Sequence, residues 1–561
     1  MKEQLLHTPE GVRDIYGSEF VRRFELQNAL FDVMNSYGYQ GIETPSFEFF
    51  DVFGKEVGTV PSSELYKFFD KEGNTLVLRP DITPSIARAV SKYFHGEEPI
   101  RLCYMGHTFI NYEKYQGRLK ESAQLGAELM GDGSVKADVE MISLVVAALQ
   151  KAGLKEFQIS LGQVRFFRSL LLEADLEESV QQALQEQISN KNVFAIEELL
   201  SDQPIPEHLK NVFTALTSLS GGVEVLEEAK KLTENEKALE AVAILEDIYE
   251  GLKGCGCEKY VSFDLGMLSK YDYYTGIIFR GYTFGSGKAI VKGGRYDKLL
   301  SYFGRKLPAV GFAIMIDELM SALIRKEERE ENESRDQKRY LTFALGKGRL
   351  AKKTLELLEE IGIHMEQMKD PHTRKLIFVD EEQKLRFFLA KGQDVPTYVE
   401  YGAADIGVVG SDTILEECRK MYEVLDLGFG KCRMCVCGPA SAKEKLESQE
   451  LIRVATKYPN IAKDYFYNKK HQTAEIIKLN GSVELAPIVG LSEVIVDIVE
   501  TGATLRENGL EILEEVKDLS AKMVVNRVSM EMERERISDL ICRIKTVVQE
   551  KRNAYENIDV K

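Results

Sequence analysis

Asp497, followed by Thr501-Gly502-Ala503-Thr504, has the residue types and spacing of a phosphate cradle. Ile495 to Val499 (IVDIV) predicts a short buried strand that carries one acid. Glu500 to Thr504 predicts a tight loop, and LRENGLEILEEV from Leu505 onward has helical spacing. In a strand–loop–helix unit, backbone N–H groups at the helix start point at an anion, and Gly lets the backbone approach it. The carboxylate before the loop can hold sugar hydroxyls or a hydrated Mg²⁺. Together these features point to a sugar 5′-phosphate. No GxxxxGK[ST] motif for a nucleoside triphosphate tail occurs.

The elements that must position these residues belong to a chain of 561 residues, long enough for several domains. A net charge of −17 argues against a nucleic-acid partner held by general electrostatics. Eight scattered cysteines imply reduced thiols in a cytoplasm. Cys432, Cys435 and Cys437 cluster, but no second half with His or Cys completes a zinc site, and RMCVC reads as a strand. No metal site is expected from the protein's own residues. The N-terminal MKEQLLHTPEG lacks an apolar signal core, and no run of 18 apolar residues occurs, so a soluble cytoplasmic protein with no membrane partner is expected.

Arg325 to Arg339 (RKEEREENESRDQKR) is the clearest boundary, with twelve of fifteen residues charged; it reads as a solvated helix end or linker. After it, YLTFAL (340–345) predicts a first strand, GKGR a turn, and LAKKTLELLEEIGI a helix with Leu355, Leu358 and Ile361 on one face. Lys347 and Arg349 in that turn could meet phosphates. Asp394 to Gly407, Arg453 to Pro459 and Lys478 to Glu484 are further polar segments expected at strand ends. Four such segments in one α/β region predict a ligand cleft.

The segment from Glu484 to Leu505 fits E-x5-G-x-S-x2-I-x-D-I-x2-T-G-x-T-L. ALGKGRL, TRKL (373–376), DVPTYVEYGAADIGVVGSD, DLGFGKCR, RVATKYPN and KLNGSVELAP accompany it. In these blocks residues 340–561 resemble the short form of ATP phosphoribosyltransferase, the first enzyme of histidine biosynthesis. Gly346 stands where Pro is common in that family. The resemblance implies that adenine N1 of ATP attacks C1 of phosphoribosyl pyrophosphate and that pyrophosphate leaves, with Mg²⁺ accompanying the substrates. It assigns the ribose 5′-phosphate to Thr501, Gly502, Ala503 and Thr504, and the ribose side to Asp497. Lys347, Arg349 and Glu484 become catalytic candidates. Arg374 and Asn480 become contacts for ATP or pyrophosphate. Because N1 is already a nucleophile, the protein's task is orientation, which can supply ~7–11 kcal/mol of barrier reduction.

The first half carries HTPEGVRD (7–14), GYQGIETP (38–45), RPDIT (79–83), QLGAE (124–128), YDYYTG (271–276), GGRYD (293–297) and AVGFAI (309–314). Acids, a Gln and paired Tyr hydroxyls suit a small molecule bearing an ammonium and an imidazole. Residues 1 to about 324 resemble the class II histidyl-tRNA synthetase core. Ile110 replaces the motif 2 Arg that grips ATP, Glu318 the motif 3 Arg, and Ser269 a third Arg. Losing three such cations should abolish adenylation, since one charge-stabilising donor is worth ~2.7–4 kcal/mol. The pattern resembles the regulatory subunit of short-form ATP phosphoribosyltransferases, a synthetase paralogue that senses histidine. The resemblance assigns a histidine pocket to Asp81, Thr83, Gln124, Glu128, Tyr273 and Tyr274.

The expected architecture is an α+β class II synthetase-like antiparallel-sheet domain (1–324, helical insertion at about 160–250), then a charged linker (325–339), then a two-lobed α/β domain like periplasmic binding proteins (340–561). Lobe I is expected at about 340–430 and 510–561, and lobe II at about 431–509. Unfused relatives form hetero-octamers of four and four subunits, so a homo-oligomer, a tetramer by analogy, is the expectation. Histidine would inhibit, with a coupling of ~1–3 kcal/mol. The competing readings are a histidyl-tRNA synthetase, disfavoured by Ile110 and Glu318, and a solute-binding protein.

Overall fold

The computed structural model of the protein describes residues 6–54, 60–112, 117–269, 273–332, 339–370, 373, 375–448 and 450–559. The chain divides into two compact units, Met1–Asp336 and Gln337–Lys561. Among the described residues, the helix Ile316–Asn332 continues into the charged segment from 325.

The first unit is built on a nine-stranded sheet. Its order is Gln40–Gly41, Ile100–Phe109, Glu121–Met130, Ala309–Met315, Val291–Arg295, Ile277–Tyr282, Gln158–Gln163, Val261–Asp264 and Ser220–Gly221. The central pairings are antiparallel, while Gln40–Gly41 with Ile100–Phe109 and Gln158–Gln163 with Val261–Asp264 are parallel. Helices from Val164–Ala174 to Glu236–Gly254 form the insertion and share one core with the sheet through Leu170, Phe213, Leu245 and Phe263. The sheet centre is rich in glycine because large side chains from neighbouring strands pass over it. A Cβ at Gly311 would lie 1.6 Å from a Glu128 carboxylate oxygen, one at Gly126 2.5 Å from the Tyr104 hydroxyl, and one at Gly294 2.7 Å from the Tyr274 ring. The glycines of AVGFAI, QLGAE and GGRYD are therefore what admits the buried polar residues of this sheet.

The second unit has two sheets. The six-stranded one runs Ile377–Asp380, Leu385–Ala390, Leu341–Gly346, Ile406–Gly410, Ala521–Val525 and Tyr422–Asp426. The five-stranded one runs Ala474–Lys478, Ile452–Thr456, Val494–Val499, Cys432–Gly438 and Glu511–Leu519. Each has its own apolar core, around Phe343 and Phe387 in the first and around Val454 and Val496 in the second. The chain passes out between Asp426 and Cys432 and returns between Leu519 and Ala521.

Two expectations are corrected here. The helix expected from Leu505 stops at Glu507, and Glu511–Leu519 is a strand. Asn508 ends the helical turn and Gly509 takes φ +69°, a left-handed stop. The freed segment then pairs antiparallel with Cys432–Gly438. For the same reason lobe II extends to Leu519, so the return to lobe I falls about ten residues later than the expected position near 510.

Candidate functional site

In the five-stranded sheet Ile452–Thr456 lies between Ala474–Lys478 and Val494–Val499, and all three strands are parallel. Their C-terminal ends therefore meet along one edge. Thr456-Lys457, Lys478 to Glu484, and Glu500 to Thr504 leave from that edge, where ligands bind in open α/β sheets. The Thr456 hydroxyl fixes this edge: it donates to the Val496 carbonyl at 2.6 Å and accepts from the Tyr458 N–H at 2.8 Å.

The phosphate-type loop has defined geometry. Gly502 takes φ +69° and caps the short helix Ala503–Glu507. The Thr501 hydroxyl accepts from the Ala503 N–H at 3.4 Å, and Arg506 holds the Thr501 carbonyl at 3.1 Å. Thr501, Ala503 and Thr504 are exposed over Leu505, which is buried in a core with Cys435, Cys437, Ile495 and Val499. Asp497 pairs across the sheet with Cys435 and is half-buried. Desolvation, reinforced by the negative charge of Glu484, raises its carboxyl to about 6, against an opposing pull from Lys457. Asn480 is exposed and Glu484 half-buried beside the same edge.

In the six-stranded sheet Leu385–Ala390, Leu341–Gly346 and Ile406–Gly410 are also parallel neighbours. Lys347 and Arg349 follow the C-terminal end of the middle strand, and the Lys347 N–H donates to the Ala390 carbonyl at 2.9 Å. Gly348, at φ +108° and ψ −149°, makes the reversal into the helix Arg349–Glu360, a conformation open essentially only to glycine. Arg349 makes a two-pronged pair with Glu500, Nη1 to Oε1 at 3.1 Å and Nη2 to Oε2 at 3.0 Å. This pair joins the end of the first sheet to the phosphate-type loop of the second. Asp412, at the end of Ile406–Gly410, accepts from the Tyr458 hydroxyl at 3.4 Å.

The turn Gly402 to Asp405, expected to help form the cleft, sits elsewhere. It precedes Ile406–Gly410 and lies at the opposite, N-terminal edge of the parallel strands. Asp405 is fully buried, accepting from the Thr342 N–H at 2.7 Å and from Arg339 at 2.7 Å, which makes it a structural anchor. Arg374 lies outside the described residues. Glu500, Asp412, Tyr458 and Arg506 were not singled out from sequence. Their alignment with the loop depends on contacts between distant segments.

The first unit holds a cluster of acids and phenols in its interior. Arg79 is buried and donates to the carbonyls of Thr44 at 2.6 Å and His107 at 2.8 Å, which fixes the start of the helix Thr83–Tyr93. Asp81 accepts from the Thr83 N–H at 3.3 Å and from the Tyr273 hydroxyl at 3.1 Å. Thr83 Oγ1 donates to Glu128 Oε1 at 2.7 Å, and the Tyr296 hydroxyl donates to Glu128 Oε2. Burial pushes Glu128 up to about 8 despite these donors, and also raises Asp81. Gln124 Nε2 donates to Thr108 at 3.2 Å, while its carbonyl oxygen is buried without a partner. The Tyr273 and Tyr274 rings lie 4.7 Å apart, and Tyr273 meets Tyr296 edge-on at 5.9 Å. The six residues expected in this pocket thus lie on one face with Tyr104 and Tyr296, which sequence reading missed. The signal for Tyr296 was present in GGRYD, two residues after a glycine that makes room for Tyr274.

The positions where cations were expected to be missing are occupied otherwise. Glu318 accepts from Ser286 at 3.2 Å and pairs with Lys288 at 3.5 Å. Ile110 is fixed by its N–H to the Lys120 carbonyl at 2.9 Å, and the Ser269 carbonyl accepts from Gln185 at 2.8 Å. Among the described residues no group of three or more His, Cys, Asp or Glu is arranged to hold a metal ion, and no helix is long and apolar enough to cross a membrane.

Comparison with known proteins matches residues 11–319 to the histidyl-tRNA synthetase family and residues 391–546 to the ATP phosphoribosyltransferase family. The ATP phosphoribosyltransferase of Lachnoclostridium phytofermentans is 76% identical over 212 residues, covering 38% of this chain and 99% of that protein. The ATP phosphoribosyltransferase regulatory subunit of Ruminiclostridium cellulolyticum is 40% identical over 324 residues, covering 58% of this chain and 77% of that protein. A crystal structure of an ATP phosphoribosyltransferase regulatory subunit/histidyl-tRNA synthetase from Bacillus halodurans C aligns at TM-score 0.53 and 30% identity, covering 69% of this chain and 99% of that one. The chain therefore belongs to the ATP phosphoribosyltransferase family through its second unit, and through its first unit to the histidyl-tRNA synthetase family in the form of that enzyme's regulatory subunits.

Proposed function

We propose that this chain is a histidine-controlled ATP phosphoribosyltransferase, with catalyst and sensor in separate units. It condenses ATP with phosphoribosyl pyrophosphate in the first step of histidine biosynthesis. The observation that carries the catalytic reading is the meeting of three parallel-strand ends at Thr456, Lys478 and Val499, with Gly502 opening the loop that follows the third. Thr501 to Thr504 would cradle the ribose 5′-phosphate, and Asp497 would accept from ribose hydroxyls. Lys347 and Arg349 would draw on the pyrophosphate. Glu484 and Asn480 would orient the nucleotides. Asp497 and Glu484 are hard oxygen donors close enough to influence each other's charge, a set suited to Mg²⁺. When bound with the substrates, Mg²⁺ would screen the pyrophosphate charge.

Asp497 makes this reading pH-sensitive. Burial raises its carboxyl to about 6, so the accepting carboxylate is complete above that pH and lost as pH falls through it. We expect kcat/KM for phosphoribosyl pyrophosphate to fall about tenfold per pH unit below pH ~6 and to level off above it. In Asp497→Asn the enzyme's part of this acid limb should disappear from the pH–rate profile, leaving the part set by the substrate's own phosphate groups, which titrate at ~6.

The sensor reading rests on the contrast between a retained acid–phenol pocket and the three vacated cation positions. Histidine's α-ammonium suits Asp81, and its imidazole suits Glu128 with a tyrosine hydroxyl. Thr83, Gln124, Tyr273 and Tyr274 complete the walls. We take the protein as cytoplasmic and homo-oligomeric, a tetramer by analogy with the four-and-four assemblies of unfused relatives. Calorimetric titration of the full chain with histidine, paired with an ATP–pyrophosphate exchange assay, tests the sensor. Histidine binding without exchange is expected, and histidine-dependent exchange would return the unit to the synthetases.

A further inference from the structure

We propose that Glu500 is a placeholder anion: while the cleft is empty it occupies Arg349 across the two lobes, and a substrate phosphate must displace it. The proposal rests on the reading above that Arg349 meets phosphate. It concerns a residue that the phosphate-loop pattern leaves unspecified, since any residue fits between Val499 and Thr501.

Three observations support it. The first is geometric. Arg349 leaves the six-stranded lobe and Glu500 the five-stranded one, and they meet through two N–H···O contacts of 3.1 and 3.0 Å. This is the fork a guanidinium offers equally to a phosphate. Glu500 also directly precedes Thr501, so the carboxylate stands at the lip of the phosphate loop.

The second is electrostatic. A fixed negative charge beside a site for a polyanion opposes binding. Its presence is understandable if it is spent on Arg349 while the site is empty. Lys353, one helical turn beyond Arg349, adds a weaker positive influence on the same carboxylate. The positive charge around Glu500 is one that a pyrophosphate could take over.

The third is exposure. The Arg349 and Glu500 side chains are 83% and 56% exposed. An ion pair so open to water holds weakly and is readily exchanged. The lobes do not depend on it for cohesion. Leu415 from the helix Ser411–Glu417 packs into the core of the five-stranded lobe. Glu416 accepts from the N–H groups of Asn460 at 3.0 Å and Ile461 at 3.2 Å. These contacts join the lobes, while the exposed pair serves as an exchangeable clasp.

The test uses the full chain, with inorganic pyrophosphate as probe by calorimetry and with phosphoribosyl pyrophosphate by steady-state kinetics. Glu500→Gln is expected to tighten pyrophosphate binding and lower KM for phosphoribosyl pyrophosphate, each roughly three- to tenfold. A gain of affinity is not what structural damage produces. Glu500→Asp, which restores the competing charge, should return both values toward wild type. Arg349→Gln should weaken pyrophosphate binding, and in that background Glu500→Gln should no longer tighten it through a released guanidinium. Unchanged or weaker binding in Glu500→Gln, with Arg349→Gln still impaired, overturns the placeholder role and leaves the phosphate reading of Arg349 standing. Wild-type pyrophosphate binding in Arg349→Gln overturns that reading and the placeholder with it.

Discussion

Arg349→Gln is expected to lower kcat/KM for phosphoribosyl pyrophosphate by about 10²–10³-fold, the range seen when one donor to developing transition-state charge is removed. As the glycosidic C–O bond breaks, negative charge grows on the pyrophosphate, and a guanidinium can meet two of its oxygens at once. The fold fixes where this side chain starts. Gly348 turns the chain sharply after the strand Leu341–Gly346, and the helix Arg349–Glu360 begins at the residue itself. Leu355 and Leu358 anchor that helix in the core. Arg349→Lys should recover only part of the loss, since an ammonium is a point charge without the planar fork. Steady-state kinetics with each substrate varied in turn gives the measurement. A loss confined to KM for ATP would move Arg349 to the other substrate.

Glu128→Gln is expected to raise the histidine concentration for half-inhibition by roughly 30- to 160-fold, corresponding to ~2–3 kcal/mol for a hydrogen bond to a charged group. The readout is inhibition scaled to each variant's own uninhibited rate. The carboxylate is approached from both sides, by Thr83 at 2.7 Å and by Tyr296, and Gly311 leaves the space it fills. The raised acidity range of Glu128 also fixes a pH signature. The free pocket holds a protonated Glu128 below about 8, and free imidazole is neutral above ~6.5. Between these values pocket and ligand together carry one proton before binding and one after it, as imidazolium against carboxylate. Inhibition should therefore be flat from pH ~6.5 to about 8. Below that window binding must release a proton, and above it binding must take one up, so affinity falls on both sides. Glu128→Gln should erase the upper limb.

The strand–loop–helix geometry from Val494 to Glu507 was legible because its signal is local. A strand followed by Thr-Gly-x-Thr leaves few conformations, and Gly502 takes the left-handed one. The acids and phenols of the first unit were legible as types, and Asp81, Thr83 and Glu128 do touch one another or a shared tyrosine. What was not legible came from tertiary context. The run from Leu505 to Val516 imitates a helix, but Gly509 interrupts it, and a free edge beside Cys432–Gly438 takes the segment as a strand. The Gly402 to Asp405 turn has the composition of a cleft loop, yet the parallel register sends it to the far edge, where Asp405 is buried. The Arg349–Glu500 pair joins residues 151 positions apart, a contact no local pattern encodes. Tyr296 acts on Glu128 from a neighbouring part of the same sheet, and only the register between Glu121–Met130 and Ala309–Met315 shows why Gly311 must face it.

The most direct measurement mixes the purified full chain with ATP, phosphoribosyl pyrophosphate and Mg²⁺, with a pyrophosphatase to draw the reaction forward. Formation of phosphoribosyl-ATP is then followed by absorbance across a histidine titration. The account predicts product formation that histidine suppresses by roughly 5–150-fold at saturation, the range of ordinary coupling between two sites. Absence of product would contradict the catalytic claim, and product formation indifferent to histidine would contradict the claim that sensor and catalyst work on one chain.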